Sequence, residues 1–175
     1  MQMNEPSVLT SKQLLKEETS LVLDSFSVSD GLLLGQIAHR VAIKRSLPIA
    51  VEVRIGDWII YHASLPGSNS ENQWWIDRKA RVVLLKHHST LYERVSAEER
   101  GVDWHKENNL LDETHAIHGG GLPLITKSEG FVGVLLISGL PQVEDHLLGV
   151  EVLTEFLARK GEILLAIMFV YVVRY

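Results

Sequence analysis

The sequence predicts an α+β domain, and three observations carry that prediction. Two pairs of β-rich runs, Ile49 to Ile55 with Trp58 to Ser64 and Leu122 to Thr126 with Phe131 to Ile137, are each joined by turn-forming residues, Gly56-Asp57 and Lys127-Ser128-Glu129-Gly130. That is the pattern of antiparallel hairpins. Stretches with helical spacing of apolar residues precede, separate and follow the pairs. Two hairpins build one antiparallel sheet, and helices clustered between and around them cover it, so the expected architecture is a two-layer sandwich with helices packed on one face.

A chain of 175 residues, 46% hydrophobic and 22% charged, is long enough for one domain with a real core and too short for two ordinary ones. Its formal charge of −5 gives no electrostatic reason to approach nucleic acid. The absence of cysteine excludes a disulfide, a thiol nucleophile and a thiolate metal site. Met1 to Lys12 has neither a basic start nor a continuous apolar core, so no secretory signal is read there and the cytoplasm is the expected location.

In chain order, residues 1–28 read as a loose leader followed by a short amphipathic helix carrying Leu14, Leu15, Leu21 and Val22. Residues 29–160 read as the domain. Its first helix takes Ser29-Asp30 as cap and presents Leu33, Leu34, Ile37, Ala38, Val41 and Ala42 on one face as far as about Arg45. Pro48 then starts the first hairpin. Pro66-Gly67-Ser68-Asn69-Ser70 is turn chemistry, and Asn69 or Ser70 caps a helix with a stripe of Ile76, Ala80, Val83, Leu84 and His87. Trp74 and Trp75 sit near its start; two adjacent indoles cannot both face one core, which leaves one for a ligand cleft or a subunit contact.

From Thr90 to Glu113 the text turns polar and reads as short helices joined by loop, anchored by Trp104 and Leu110-Leu111. His118-Gly119-Gly120-Gly121-Leu122-Pro123 then leads into the second hairpin. Three glycines free the backbone to take positive φ or to lie bare against a ligand or another chain. After that hairpin Pro141 opens a helix with Leu147, Val150, Leu153 and Leu157 as its apolar positions, closing near Arg159-Lys160 with Gly161 as the C-cap. Residues 161–175 hold eleven consecutive apolar residues, Ile163 to Val173. Eleven is too few to span a bilayer, which takes about 20. This tail is expected to be an added strand or, preferably, an extension not native to the fold, and to be dispensable.

Several chemistries fail on context. His-Gly-Gly-Gly also forms the oxyanion hole of some esterases, but the accompanying serine elbow G-x-S-x-G does not occur here. Glycine-rich phosphate loops open a helix, whereas these glycines open a strand. Glu144 and Asp145 read as carboxylates that complement the dipole of the last helix. The pairs His115/His118 and His87-His88 lack a spacing specific for a metal, and none is expected.

Beside His118-Gly119-Gly120-Gly121-x-Pro123, the chain carries Phe131-Val132-Gly133-Val134 and Ser138-Gly139-Leu140-Pro141-Gln142-x-Glu144-Asp145-His146. Earlier come Leu47-Pro48-Ile49-Ala50-Val51, His62-Ala63-x-Leu65-Pro66-Gly67 and Trp75-Ile76-x-Arg78-Lys79. In this order the motifs resemble the haem-degrading-domain family of GlcG-like and HbpS-like proteins, closest to its short cytosolic branch in bacteria and fungi, over roughly positions 30 to 158. The resemblance implies a PAS- or profilin-like sandwich that closes into homo-oligomers, and it brings haem or another planar tetrapyrrole as a ligand. A haem would draw on His118 or His146 as axial ligand, on Trp74, Trp75 and Leu122 as walls, and on Arg78, Lys79 and Arg81 as cations for the propionates. No catalytic motif is found. The sequence thus reads as a cytosolic, oligomeric module that binds a small ligand or a protein partner through His118, Gly119, Gly120, Gly121, Trp74, Trp75, Arg78, Lys79 and His146. The alternatives are a haem-binding or haem-degrading protein and a purely structural assembly unit.

Overall fold

The computed structural model describes the backbone of residues 9–173 and the side chains of residues 9–161. Its elements are α1 (Ser11–Ser20), α2 (Val28–Arg45), β1 (Ala50–Ile55), β2 (Trp58–Ser64), α3 (Ser70–Lys86), α4 (Thr90–Arg100), α5 (Trp104–Asn108), β3 (Gly121–Thr126), β4 (Gly130–Ser138) and α6 (Gln142–Val173). Both hairpins form where their turns place them. They join through an antiparallel β1–β4 pairing into one sheet of order β2-β1-β4-β3.

The register explains why β4 reads as a nearly continuous apolar run, whereas β1 alternates its apolar residues with Glu52 and Arg54. Val51 pairs with Ile137 and Val53 with Leu135, and these four side chains join the core under α2 and α6. The alternate positions Ala50, Val134 and Leu136 pack instead with Ile76, Ala80 and Val83 of α3. A strand buried on both faces loses the polar alternation of a half-exposed one. The α+β sandwich with a sheet of two hairpins is thus as expected, but helices cover both faces of the sheet: α2 and α6 lie on one side and α3 on the other.

Local chemistry sets the helix starts. Ser27, rather than Ser29-Asp30, caps α2, because Asp30 at the third helical position reaches back to the Ser27 N–H at 2.8 Å and completes a capping box. Asn69 caps α3 in the same way. Trp104 is buried as expected, but Leu111 of the expected Leu110-Leu111 anchor is 65% exposed. The α1 helix is fastened to the domain by its carboxylates: Glu17 bonds His146 at 2.6 Å, and Glu18 bonds the His88 ring and the Ser89 N–H, both at 2.7 Å. Just beyond it, Leu23 pairs with the outer edge of β3, accepting from Lys127 and donating to Ile125.

Two expectations for α6 change. Of its expected apolar positions Leu153 is buried and Val150 and Leu157 pack against the core, but Leu147 is 47% exposed, and Asp145, Leu148, Val152 and Phe156 form a further inward stripe. Positions 145, 148, 152 and 156 share one helical face, so the burial of Asp145 sets which apolar residues turn inward. The helix also runs on past Lys160 to Val173, since Gly161 does not take the left-handed conformation that would stop it. The tail is therefore helical rather than a strand; its side chains lie outside the described residues.

Candidate functional site

The motif around His118 and the motif around Asp145 meet because β3 and β4 are neighbours and α6 leaves the end of β4 through the tight turn at Ser138-Gly139-Leu140. The α3 helix crosses the same end of the sheet and brings Lys79 to the junction. Lys79 Nζ donates to the Ile137 carbonyl oxygen at 2.8 Å and to Asp145 Oδ2 at 2.9 Å, and both side chains are only 3% exposed. The other carboxylate oxygen of Asp145 accepts from the Leu140 N–H at 2.9 Å. Burial pushes the Lys79 amine below the usual ammonium range and the Asp145 carboxyl above the usual carboxylate range, in each case against the pull of its partner. Both shifts narrow the gap between an ammonium–carboxylate pair and an amine–carboxylic acid pair.

The glycine run is the mould around this pair. Gly120 takes φ +110, and a Cβ there would overlap the Ile137 carbonyl oxygen and stand 2.8 Å from both Asp145 Cβ and Lys79 Nζ. Its own carbonyl accepts from the Ile137 N–H at 2.8 Å. At Gly119 a Cβ would meet the Gln142 carbonyl, and at Gly121 it would press on Val83 and Thr90. The backbone expected to lie bare for a ligand or another chain is buried against the protein's own α3, α4 and α6. Close approach, rather than exposure, is what requires glycine here.

Beside the pair opens a cleft of about 290 Å³ lined by Trp75, Lys79, His118, Ser138, Gln142 and Asp145, with Asn69, Glu71, Asn72, Gly139 and Leu140 completing its walls. Of the residues singled out in the sequence, Trp75, Lys79 and His118 line it, and the others do not. Trp74 is 49% exposed on the outside of α3. The Arg78 guanidinium lies 4.0 Å from the Trp74 ring centre and 4.5 Å from that of Trp75, and it bonds Asp112 through the carbonyl and the carboxylate. It is buried, not a solvated cation waiting for an anion. His146 points away toward Glu17, and Gly119 to Gly121 lie behind the floor.

His118 stands edge-on to Trp75 with ring centres 4.7 Å apart, and its Nδ1 is buried without a hydrogen-bond partner. Burial, then the nearby Arg94, holds its pKa below the ordinary 6.5. A depressed pKa means that the unfolded chain binds more protons just below pH 6.5, so this histidine's contribution is present above 6.5 and is lost as pH falls through the folded value. His118→Gln is expected to flatten the decline of the guanidinium unfolding midpoint between pH 7 and 5; an unchanged slope would place the acid sensitivity elsewhere.

Sequence reasoning missed Asp145 as a member of the site and missed Asn69, Asn72, Ser138 and Gln142 as walls. A carboxylate in the first turn of a helix is ordinarily a dipole complement, and the signal against that reading lay in the flanking Ser-Gly-Leu-Pro turn, which buries the helix start.

A family model for haem-degrading proteins of the HbpS-like type matches residues 26–154, and the chain belongs to this family. Among its relatives are a UPF0303 protein of Streptomyces avermitilis, 37% identical over 86% of this chain and 92% of that protein, and the UPF0303 protein SCO2848 of Streptomyces coelicolor, 34% identical over 87% and 96%. The solved structure of Ybr137w protein superposes with a TM-score of 0.77 at 25% identity, covering 85% of this chain and 88% of that one. The PduOC:heme complex superposes with a TM-score of 0.63 at 17% identity over 74% and 94%, and HbpS with 0.58 at 15% over 75% and 89%; at that identity they share the fold.

Proposed function

We propose that this protein is a cytosolic small-ligand-binding module whose site is the cleft between the starts of α3 and α6. The observation that carries the reading is a concave, mixed-polarity cleft built over a buried Lys79–Asp145 pair, with a ring nitrogen of His118 unpartnered beside it. Pockets with a few convergent polar groups and perturbed titrating residues are where small molecules bind. A thermal-shift panel of small polar metabolites should find compounds that raise the melting temperature of the parent but not of Ser138→Trp, which fills the cleft. A panel in which no compound does so would sink the reading.

Haem is the second ligand to weigh, since the family bears its name and the PduOC neighbour is a heme complex. The residues of this cleft do not fit an enclosed haem. Its volume of about 290 Å³ is at the bottom of the range for small-molecule sites, roughly 300–1,000 Å³. Arg78 and Lys79 are committed to Asp112 and Asp145, and His146 to Glu17. Hemin should therefore separate from the protein on size exclusion; co-elution that His118→Ala abolishes would restore the haem reading.

Self-association into a closed oligomer belongs to the same proposal. Its support is the outer edge of β2, where Trp58 is 62% and Ile59 47% exposed. An open edge with large apolar residues is a pairing surface. Light scattering at micromolar concentration should give a multiple of the chain mass, and a monomer would remove this part.

A further inference from the structure

Lys79 does more than close an ion pair, because of where that pair sits. A lysine and an aspartate that served the core alone would be sealed on all sides, whereas both of these side chains line the cleft. Three features of the arrangement belong to a reactive amine. The nitrogen is held in place by the Ile137 carbonyl and by Asp145, so it is aimed before any ligand arrives. Its carboxylate neighbour stands at 2.9 Å, within direct proton-transfer reach. Gly120 packs against the amine so closely that a Cβ there would stand 2.8 Å from Nζ. A desolvated lysine is the usual source of an amine nucleophile near neutral pH, and the depressed lysine and raised aspartate pKa values agree with that geometry.

The walls define what could approach. Glu71 at the rim and Asp145 at the floor set two carboxylates against one lysine, and the His118 imidazole is largely neutral at pH 7. The single cation of the lining, Lys79, is already neutralised by Asp145, so the walls leave no lining cation for a carboxylate or phosphate ligand. The Gln142 oxygen already accepts from Arg94 at 3.0 Å and Asn72 Oδ1 from the Asn69 N–H at 2.8 Å, so among the described residues both amides keep N–H groups that can donate to a ligand oxygen.

We infer that Lys79 forms a reversible imine with small uncharged hydroxy-aldehydes or hydroxy-ketones bound in this cleft, with Asp145 as the proton carrier. The inference rests on the cleft being a ligand site. In the forward step one ammonium proton passes to Asp145, and the freed nitrogen lone pair forms a bond to the carbonyl carbon. A second proton then moves from that nitrogen to the carbonyl oxygen, giving the hydroxyl of a neutral carbinolamine. That hydroxyl leaves as water with the proton held by Asp145 as the nitrogen lone pair forms the C=N bond. The balance is amine plus carbonyl giving imine plus water, with no oxidant or reductant.

The test uses the full chain with dihydroxyacetone as probe and sodium cyanoborohydride, whose hydride reduces the imine to a stable secondary amine, followed by peptide mapping. Lys79 is expected to be labelled about tenfold or more faster than any of the other seven lysines, a modest share of what a positioned acid–base partner such as Asp145 contributes. Lys79→Arg, which keeps a cation opposite Asp145, should remove that label, and Asp145→Asn should slow it, with circular dichroism confirming that each variant is folded. Label confined to surface lysines such as Lys12, Lys44 and Lys106 with Lys79 untouched would overturn the inference, and because this is read on the parent protein it stands even where a variant misfolds. A thermal shift by dihydroxyacetone without label at Lys79 would retain the cleft as a ligand site and reject the imine.

Discussion

Replacing Gly120 with valine is expected to lower stability by about 3–5 kcal/mol, from steric overlap and backbone strain acting together. Neither contribution can relax cheaply. The φ of +110 is a conformation that a β-branched residue scarcely adopts. The new side chain would also press on a backbone carbonyl, that of Ile137, which β4 holds in the sheet, and on both members of the Lys79–Asp145 pair. For a domain with total stability of about 5–15 kcal/mol this is a large share, enough to leave much of the protein insoluble at growth temperature. Urea unfolding of Gly120→Val against the parent measures it; a midpoint equal to the parent's would mean that the glycine run is a yielding loop and that the packing around it is not tight.

The second large effect is expected at the buried pair itself. Lys79→Met leaves a carboxylate in the interior without its cation, and Asp145→Leu leaves an ammonium without its anion; each single change should cost about 3–5 kcal/mol. The double variant should recover most of that loss, because two apolar side chains of similar size remove the desolvation cost of both charges. Burial outweighing attraction in the shifts of both groups is the reason to expect recovery. The Leu140 N–H, which bonds Asp145 Oδ1, would lose its acceptor in the double variant, so recovery should stop short of complete. A double variant as unstable as the sum of the singles would show that the pair is net stabilising and that the fold depends on its charges.

Much of the architecture was legible in the chain because its signals are local. Gly56-Asp57 and the Lys127-to-Gly130 turn fix two hairpins whatever surrounds them, and Asn69 caps α3 through a bond two residues away. The motif order from Leu47 to His146 was sufficient to place the chain in its family. The site was legible as a neighbourhood and not as a geometry. Trp75, Lys79 and His118 stand together, but Lys79 and Asp145 are 66 residues apart in sequence and each has an ordinary surface role when read alone.

The amino-acid sequence by itself therefore determined the class of fold, the two hairpins and the places where backbone must be glycine. Only the tertiary structure decided that helices cover both faces of the sheet, that α6 turns Leu148, Val152 and Phe156 inward, and that the glycine loop is buried. It also decided that a lysine and an aspartate share a proton-transfer distance at the floor of a cleft. The physical reason is that turns and caps are settled by bonds between residues a few positions apart, whereas a buried charge is settled by which distant partner arrives to neutralise it. That arrival depends on how β3, β4, α3 and α6 converge at one end of the sheet.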